Sequence, residues 1–370
     1  MKMTCQRAAL ANAFQTVSGV IPARTPKEIL QNTRLEAANG EATLLATDLD
    51  VGVRHRLPEC MVDRPGTVLM PTHRVLAILR EMQGPTVQIE VQENVTRVTG
   101  NRAEYRLGYL DPAEFPLLPA FDEQNSYTVS SNQLRRMIQR TIFAIDAEST
   151  RYALGGVLVE LHGESVILVA TDTRRLAQAR GQCASSGEAV VENSSPVVPA
   201  KAMALIERSL ADYEGSVAIS IRANDVQVQS NLTTIYSRLV EGRFPKYQDV
   251  IPTKNAITID LIAAPLLTAV RQAQILTSEE HRGVDFEFGP GLLKLISREP
   301  SAGESVIELP ISYEGEALTV TFDPRFIAEF LKVLEPEQPV RLGLTNSASA
   351  AVFRTEDGYT YIVMPLSRER

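Results

Sequence analysis

The sequence predicts an α+β protein of three tandem, similar domains, each with two helices packed on antiparallel sheet. Three observations predict it. A pair of helical patterns occurs three times along the 370 residues, short alternating segments fill the chain between them, and polar, loop-like stretches separate the copies. A chain of this length exceeds one ordinary domain and suits two or three.

The first helix of each pair is expected over Cys5 to Gly19, Ser131 to Ile145 and Ala264 to Leu276. Leu10, Phe14 and Val17 share one face of the first, with Thr4 as candidate N-cap. Leu134, Ile138 and Ile142 share a face of the next, and Leu267 and Val270 of the last. The second helices are expected over Pro71 to Gln83 (Val75, Leu79, Met82), Pro199 to Tyr213 (Met203, Ile206, Leu210) and Pro324 to Leu334 (Ile327, Phe330, Leu334). First helices begin 126 and 133 residues apart, second helices 128 and 125 apart. Each second helix opens on proline, whose missing N–H costs nothing at a first helical position. Strands are expected at Ala42–Thr47, Val51–Arg56, Val87–Val91, Val166–Ala170, Val217–Ile221, Val226–Gln229, Val306–Leu309, Leu318–Thr321 and Tyr359–Val363, punctuated by Gly, Asn and Asp. Polar stretches at Asp122–Ser126 and Pro252–Ala256 set the expected domains at 1–123, 124–252 and 253–370.

The net charge of −8 points away from nucleic acid until the charge is located. The six expected helices hold eleven Lys and Arg against four Asp and Glu, a net +7, so the remainder of the chain carries −15. Helix propensity does not explain this, because Glu forms helices as well as Arg or Lys and is nearly absent from them. If the helices share one face, that face attracts phosphates while the rest repels them.

Other classes are weakly supported. Cys5, Cys60 and Cys183 are odd in number and lack Cys-x-x-Cys spacing, so buried free thiols are expected rather than a disulfide framework or a zinc site. The histidines (His55, His73, His162, His281) form no His-x-x-x-His pair, and neither metal nor cofactor is expected. No apolar run approaches the roughly 18 residues of a spanning helix. The opening Met1-Lys2-Met3-Thr4-Cys5-Gln6-Arg7 lacks a signal-type apolar stretch, so a soluble cytoplasmic chain with no membrane partner is expected.

Two segments carry a resemblance. Leu239-Val240-Glu241-Gly242-Arg243-Phe244-Pro245-Lys246-Tyr247-Gln248-Asp249-Val250-Ile251-Pro252 resembles the signature ending the middle domain of the bacterial DNA polymerase III beta subunit family, the beta sliding clamps. Ala170-Thr171-Asp172-Thr173-Arg174-Arg175-Leu176-Ala177 is similar to that family's Thr-Asp-x-x-Arg-Leu-Ala segment. Thr47-Asp48-Leu49-Asp50, Asp111-Pro112-Ala113-Glu114-Phe115-Pro116, Ile275-Leu276-Thr277-Ser278-Glu279 with Arg282-Gly283-Val284, and Val363-Met364-Pro365-Leu366 extend the likeness end to end.

The resemblance implies the DNA clamp fold and a head-to-tail homodimer. Domain 1 of one copy would meet domain 3 of the other in a closed ring, with helices lining the hole around double-stranded DNA. It implies a non-catalytic processivity factor that binds DNA without regard to sequence. The implied clients are the replicative polymerase catalytic subunit, the clamp loader, translesion polymerases and repair proteins carrying clamp-binding peptides. Their pocket maps onto Leu154, Thr171, Thr173, Arg174, Arg175, Leu176, Pro245, Val250, Ile362, Val363, Met364, Pro365 and Leu366. Apolar walls and an adaptable Met suit peptide side chains, while Thr171 and Arg175 are expected to orient the peptide. DNA contact maps onto Arg24, Arg80, Arg151, Tyr152 and Lys201, and the dimer interface onto Tyr105 and Leu107 against Ile275 and Leu276. The sequence departs from the family at Arg174 (often His or Tyr), at Ala153 (an aromatic), at Ser367 (an Arg) and in the extended tail Arg368-Glu369-Arg370.

A metal-dependent hydrolase is the competing class, because Asp48, Asp50 and Asp172 follow strands as metal-binding carboxylates often do. No Walker loop, Gly-x-Ser-x-Gly or Cys–His signature accompanies them, and Thr-Asp after a strand in two domains fits a structural turn better.

Overall fold

A computed structural model describes residues 1–146, 148, 153–186 and 196–367. Among these, six α-helices form: α1 (Arg7–Ser18), α2 (Thr72–Glu81), α3 (Ser131–Gln139), α4 (Ala200–Ser209), α5 (Ala263–Gln274) and α6 (Pro324–Lys332). All six expected helices are present, each shorter than the expected span, and their apolar faces are the predicted ones. Leu10, Phe14 and Val17 are fully buried, as are Val75, Leu79, Ile138, Ile327 and Phe330. Each large apolar side chain so buried stabilises the fold by about 1.5–3 kcal/mol. In α5 the expected Val270 is fully buried, but Leu266, at 1% exposure, turns inward in place of the expected Leu267, which is half-buried.

Helix starts differ from expectation. Thr4 does not cap α1; it sits in the strand Lys2–Gln6, opposite Gln88 and Met61, and that strand runs directly into the helix. Pro71 and Pro199 close the strands Gly66–Pro71 and Val197–Pro199, so only Pro324 occupies a first helical position. There Asp323 caps the helix, its Oδ1 accepting the Arg325 N–H at 3.0 Å. After α3 the Thr141 hydroxyl bonds back to the Met137 carbonyl at 2.9 Å and a 3-10 turn, Ile142–Ala144, replaces the last expected helical turn.

The chain divides into two compact units. The first is made mainly of Met1–Arg135 and Lys201–Leu239, the second mainly of Arg136–Gln182 and Val240–Arg370. The polar stretches expected to separate domains therefore fall inside the units.

Hydrogen-bonded ladders give the reason. In the first unit, Thr233–Arg238 pairs with Val51–Leu57, joining middle-third strands to N-terminal ones in a nine-stranded antiparallel sheet. A second sheet of five strands runs in the order Met61–Arg64, Lys2–Gln6, Thr86–Gln92, Val95–Gly100, Ala103–Gly108. In the second unit, Arg175–Gln182 pairs with Thr360–Val363 within an eight-stranded sheet. The remaining four-stranded sheet begins at the edge strand Gly303–Pro310. Within the first unit α1 packs on α2, and within the second α5 packs on α6.

Candidate functional site

The strand–turn–strand at Ser165–Gln182 builds one wall of the site, and its turn explains the Thr-Asp motif. Thr171 Oγ1 donates to the Arg175 carbonyl and accepts from the Thr173 N–H at 3.1 Å. Asp172 Oδ1 accepts the N–H groups of Arg174 and Arg175 at 3.0 and 2.9 Å. These bonds hold Thr173 at φ 73°, in the left-handed region. Thr47 and Asp48 make the same four bonds around Leu49, at φ 87°. Asp172 Oδ2 takes Arg175 Nε at 2.9 Å and Asp48 Oδ2 takes Lys201, so both carboxylates are spent on turns and ion pairs. That chemistry is the structural one, and the hydrolase reading has no support.

The second wall is the C-terminal strand. Leu176 lies opposite Ile362 and Arg175 opposite Val363, and the Met364 N–H extends the ladder to the Arg174 carbonyl at 2.8 Å. The third is Phe244–Val250. Gly242, at φ 116°, swings the chain into it, a conformation that favours glycine. Phe244 and Tyr247 then pack edge to face at 6.4 Å, and the Tyr247 hydroxyl donates to Glu160 Oε2 at 2.7 Å. Burial and the Glu160 carboxylate push that hydroxyl up to about 12, so it stays protonated.

These segments enclose a cavity of about 230 Å3. Of the residues expected to form the pocket, Thr171, Thr173, Arg174, Arg175, Leu176, Pro245, Val250, Ile362 and Met364 line it. Val250 and Met364 are 56% and 45% exposed, apolar surface open at the rim. Leu154 is instead beneath the floor, in a buried cluster with Leu176, Phe244, Tyr247 and Ile362.

Three expected wall residues lie off the cavity. Strand alternation turns Val363 to the opposite face, where it is fully buried. Pro365 and Leu366 line a separate depression with Thr319 and Thr321, the Leu366 N–H anchored on the Thr321 carbonyl at 2.8 Å. Lys246, Tyr247 and Ala350 line the cavity and were not expected. Lys246 and Tyr247 stand inside the motif that locates the wall; Ala350 carries no sequence signal.

Arg175 is engaged within the chain. Its guanidinium bonds Asp172, Glu329 and the Phe143 carbonyl and lies 4.4 Å from the Phe326 ring centroid, with 8% of the side chain exposed. Thr171 is likewise committed to its turn. Both hold the wall in place, and Arg174, exposed at the rim, is the arginine with a free face.

Family models match the chain in three consecutive stretches: the DNA polymerase III beta subunit N-terminal domain over residues 1–119, its central domain over 128–246 and its C-terminal domain over 248–367. The chain belongs to the DNA polymerase III beta subunit family. The beta sliding clamp of Pseudomonas putida KT2440 is 30% identical over 370 residues, covering 99% of this chain and all of that one. Among solved structures, the clamp of Pseudomonas aeruginosa bound to griselimycin superposes with a TM-score of 0.92 at 28% identity, covering 99% of each chain. The DNA polymerase sliding clamp of Bacillus subtilis gives 0.92 at 25%, again over 99% of each. The fold is thus the three-domain clamp fold.

Positive charge stays concentrated on the helices of this beta subunit family member. The six helices carry ten Lys and Arg against three Asp and Glu, so the net +7 survives the shorter helix bounds. Not every cation is free. Arg7 is spent on the Gly84 and Leu79 carbonyls at 2.9 and 2.7 Å. Arg140, expected on a positive helix face, lies beyond the end of α3, buried against Asp357 at 2.8 Å. Arg24 is exposed in the loop after α1 and Arg80 at the end of α2, where it reaches Gln15. Lys201 is half-exposed on α4 but paired with Asp48. Arg151, Tyr152 and the tail Arg368-Glu369-Arg370 lie outside the described residues.

Tyr105 and Leu107 belong to Ala103–Gly108, an edge strand with a ladder on one side only. Ile275 follows α5 at 77% exposure, and Leu276 beside it is half-buried.

Proposed function

We propose that two copies of this chain close head to tail into a ring around duplex DNA and tether client proteins through the cavity at Leu176, Pro245 and Met364. The reading takes the chain as three clamp domains, 1–123, 124–252 and 253–370, acting as a non-catalytic processivity factor in the bacterial cytoplasm. The single observation that carries it is the open apolar cavity built by Thr171–Leu176, Pro245–Val250 and Ile362–Met364, segments brought together from across the sequence.

The occupant is a short peptide of clamp-binding type, with apolar side chains filling the cavity and polar groups at its rim. The proposed owners are the replicative polymerase, the clamp loader, translesion polymerases and repair proteins. The edge strands Ala103–Gly108 and Gly303–Pro310 support ring closure: each has unpaired backbone groups, and Tyr105, Val306 and Ile275 add exposed apolar surface. Pairing one with the other across copies removes both edges. DNA is held through its phosphates by helix and loop cations, Arg24, Arg80 and Lys201 among them, with Arg151 and Tyr152 assigned to the same surface.

Titration of a Gln-Leu-x-Leu-Phe peptide into the full chain tests the cavity. Saturable binding at one site per chain is expected, and no binding at millimolar peptide would overturn the assignment.

A further inference from the structure

Cys5 and Cys60, far apart in sequence, come side by side in the fold. The strand Lys2–Gln6 runs antiparallel to Met61–Arg64, with Met3 opposite Val62 and Thr4 opposite Met61. Continued one step past its last pair, that register brings Cys60, the residue before the outer strand, up to Cys5. Directly opposed residues on antiparallel strands have Cα atoms about 4.5–5.5 Å apart, inside the roughly 4.4–6.8 Å that a disulfide spans. Ladders fix both backbones: Cys5 pairs with Val87 on its other side, and the Cys60 N–H donates to the Gly40 carbonyl at 2.8 Å.

We propose that Cys5 and Cys60 form an oxidation site, a dithiol that hydrogen peroxide converts to an intramolecular disulfide. Neither residue belongs to the peptide cavity, the helix cations or the interface strands, so the assignment is independent of the clamp reading. The environment assigns the roles. The neighbouring Cys5 thiol holds Cys60 below its ordinary range, while Cys60 and burial push Cys5 up. Both are 5% exposed, narrow access that admits a small oxidant rather than a protein one.

The Cys60 thiolate attacks one peroxide oxygen. The O–O bond breaks, hydroxide leaves and takes up a proton to become water, and Cys60 becomes a sulfenic acid. The Cys5 sulfur then attacks the Cys60 sulfur, the S–OH bond breaks, and the hydroxyl leaves with the Cys5 proton as a second water. Sulfur is oxidised, peroxide is reduced, and two thiols plus one peroxide give one disulfide plus two waters. The bond ties the N-terminal strand, and with it the start of α1, to the residue that leads into the outermost strand of its five-stranded sheet.

The test uses the full chain treated with peroxide, alkylated and mapped by mass spectrometry. Of the three thiols only Cys183 should remain alkylatable, a linked peptide should contain Cys5 and Cys60, and dithiothreitol should restore all three. In Cys5→Ser, dimedone should label Cys60 as a trapped sulfenic acid. Three persistent thiols after peroxide, or a disulfide that joins two chains or includes Cys183, would overturn the proposal. The wild-type map stands whether or not the variant folds.

Discussion

Met364 donates its backbone N–H to the carbonyl of Arg174 at 2.8 Å, continuing the ladder in which Arg175 faces Val363 and Leu176 faces Ile362. One hydrogen bond thereby fixes the separation of the two rims of the cavity, while both side chains stay exposed above it. The walls are rigid backbone and the lip is adaptable, which suits a site that accepts related but unequal peptides.

Met364→Ala removes lip and wall surface without touching that backbone bond. Burial of an anchoring side chain contributes about 1.5–3 kcal/mol, so the variant should bind a Gln-Leu-x-Leu-Phe peptide roughly tenfold or more weakly. Calorimetric titration checks this, and equal affinity for both proteins would remove Met364 from the site. Deleting Arg368-Glu369-Arg370 should cost far less, since charges at a chain terminus contribute little.

Arg140 and Asp357 make a second checkable pair. The arginine side chain is 7% exposed, its partner 39%, and the guanidinium also lies 5.0 Å from the Tyr359 ring centroid. Burial alone would raise the Asp357 carboxyl, but hydrogen bonds from Thr355 and Arg140 hold it below its ordinary value. A folded-state value lowered in this way gives stability that is present above the unfolded pKa and lost as pH falls through the folded one. Asp357→Asn should therefore destabilise the chain at pH 7 by roughly 1–3 kcal/mol, discounted from a fully buried pair for the exposed carboxylate. The difference from wild type should shrink below about pH 4, near the ordinary carboxylate range. Denaturant melts at pH 7 and pH 3.5 test it; a constant difference would contradict the pair.

The fold was largely legible because its signals are local. Leu10, Phe14 and Val17 mark a helix face by spacing alone, and alternation marks Val217–Ile221 as a strand. What was hidden depends on partners distant in sequence. Thr4 reads as a helix cap until its strand is seen paired on both sides. Pro71 reads as a helix start although it ends a strand opposite Asn32.

Nothing in the spacing of the polar stretches reveals that the middle third lends its strands to two different sheets. The cavity shows the same division. Leu176, Pro245 and Met364 were identified through motifs, but alternation within one strand removes Val363 from the wall. Arg175 could not be known to be bound to Glu329 before the fold placed α6 beside it. The Cys5–Cys60 contact is visible only through strand register.

Ring closure makes its own prediction. Ile275 is 77% exposed and Leu276 half-buried, so Leu276→Asp with Ile275→Ala disturbs little within one chain but places a carboxylate in the proposed apolar contact. A folded protein of about 41 kDa in light scattering is expected, against twice that mass for wild type. An intact dimer from the double variant would move the interface elsewhere.

The DNA surface should be electrostatic and blind to sequence. Arg24→Ala should weaken binding equally on unrelated duplexes and reduce its dependence on salt, because fewer counterions are released. Lys201→Ala should do less, since Asp48 already neutralises that ammonium. A preference for one sequence, or unchanged salt dependence in Arg24→Ala, would exclude this surface.

The central claim is topological: the protein holds DNA by surrounding it. Retention on closed circular DNA, followed in high-salt gel filtration before and after a single restriction cut, tests it most directly. Chains placed on the circle by a clamp loader should remain in the DNA fraction at salt that abolishes phosphate contacts. They should leave it when the circle is linearised and its ends are free. Equal retention on circular and linear DNA, or complete loss from the closed circle at that salt, would contradict encirclement.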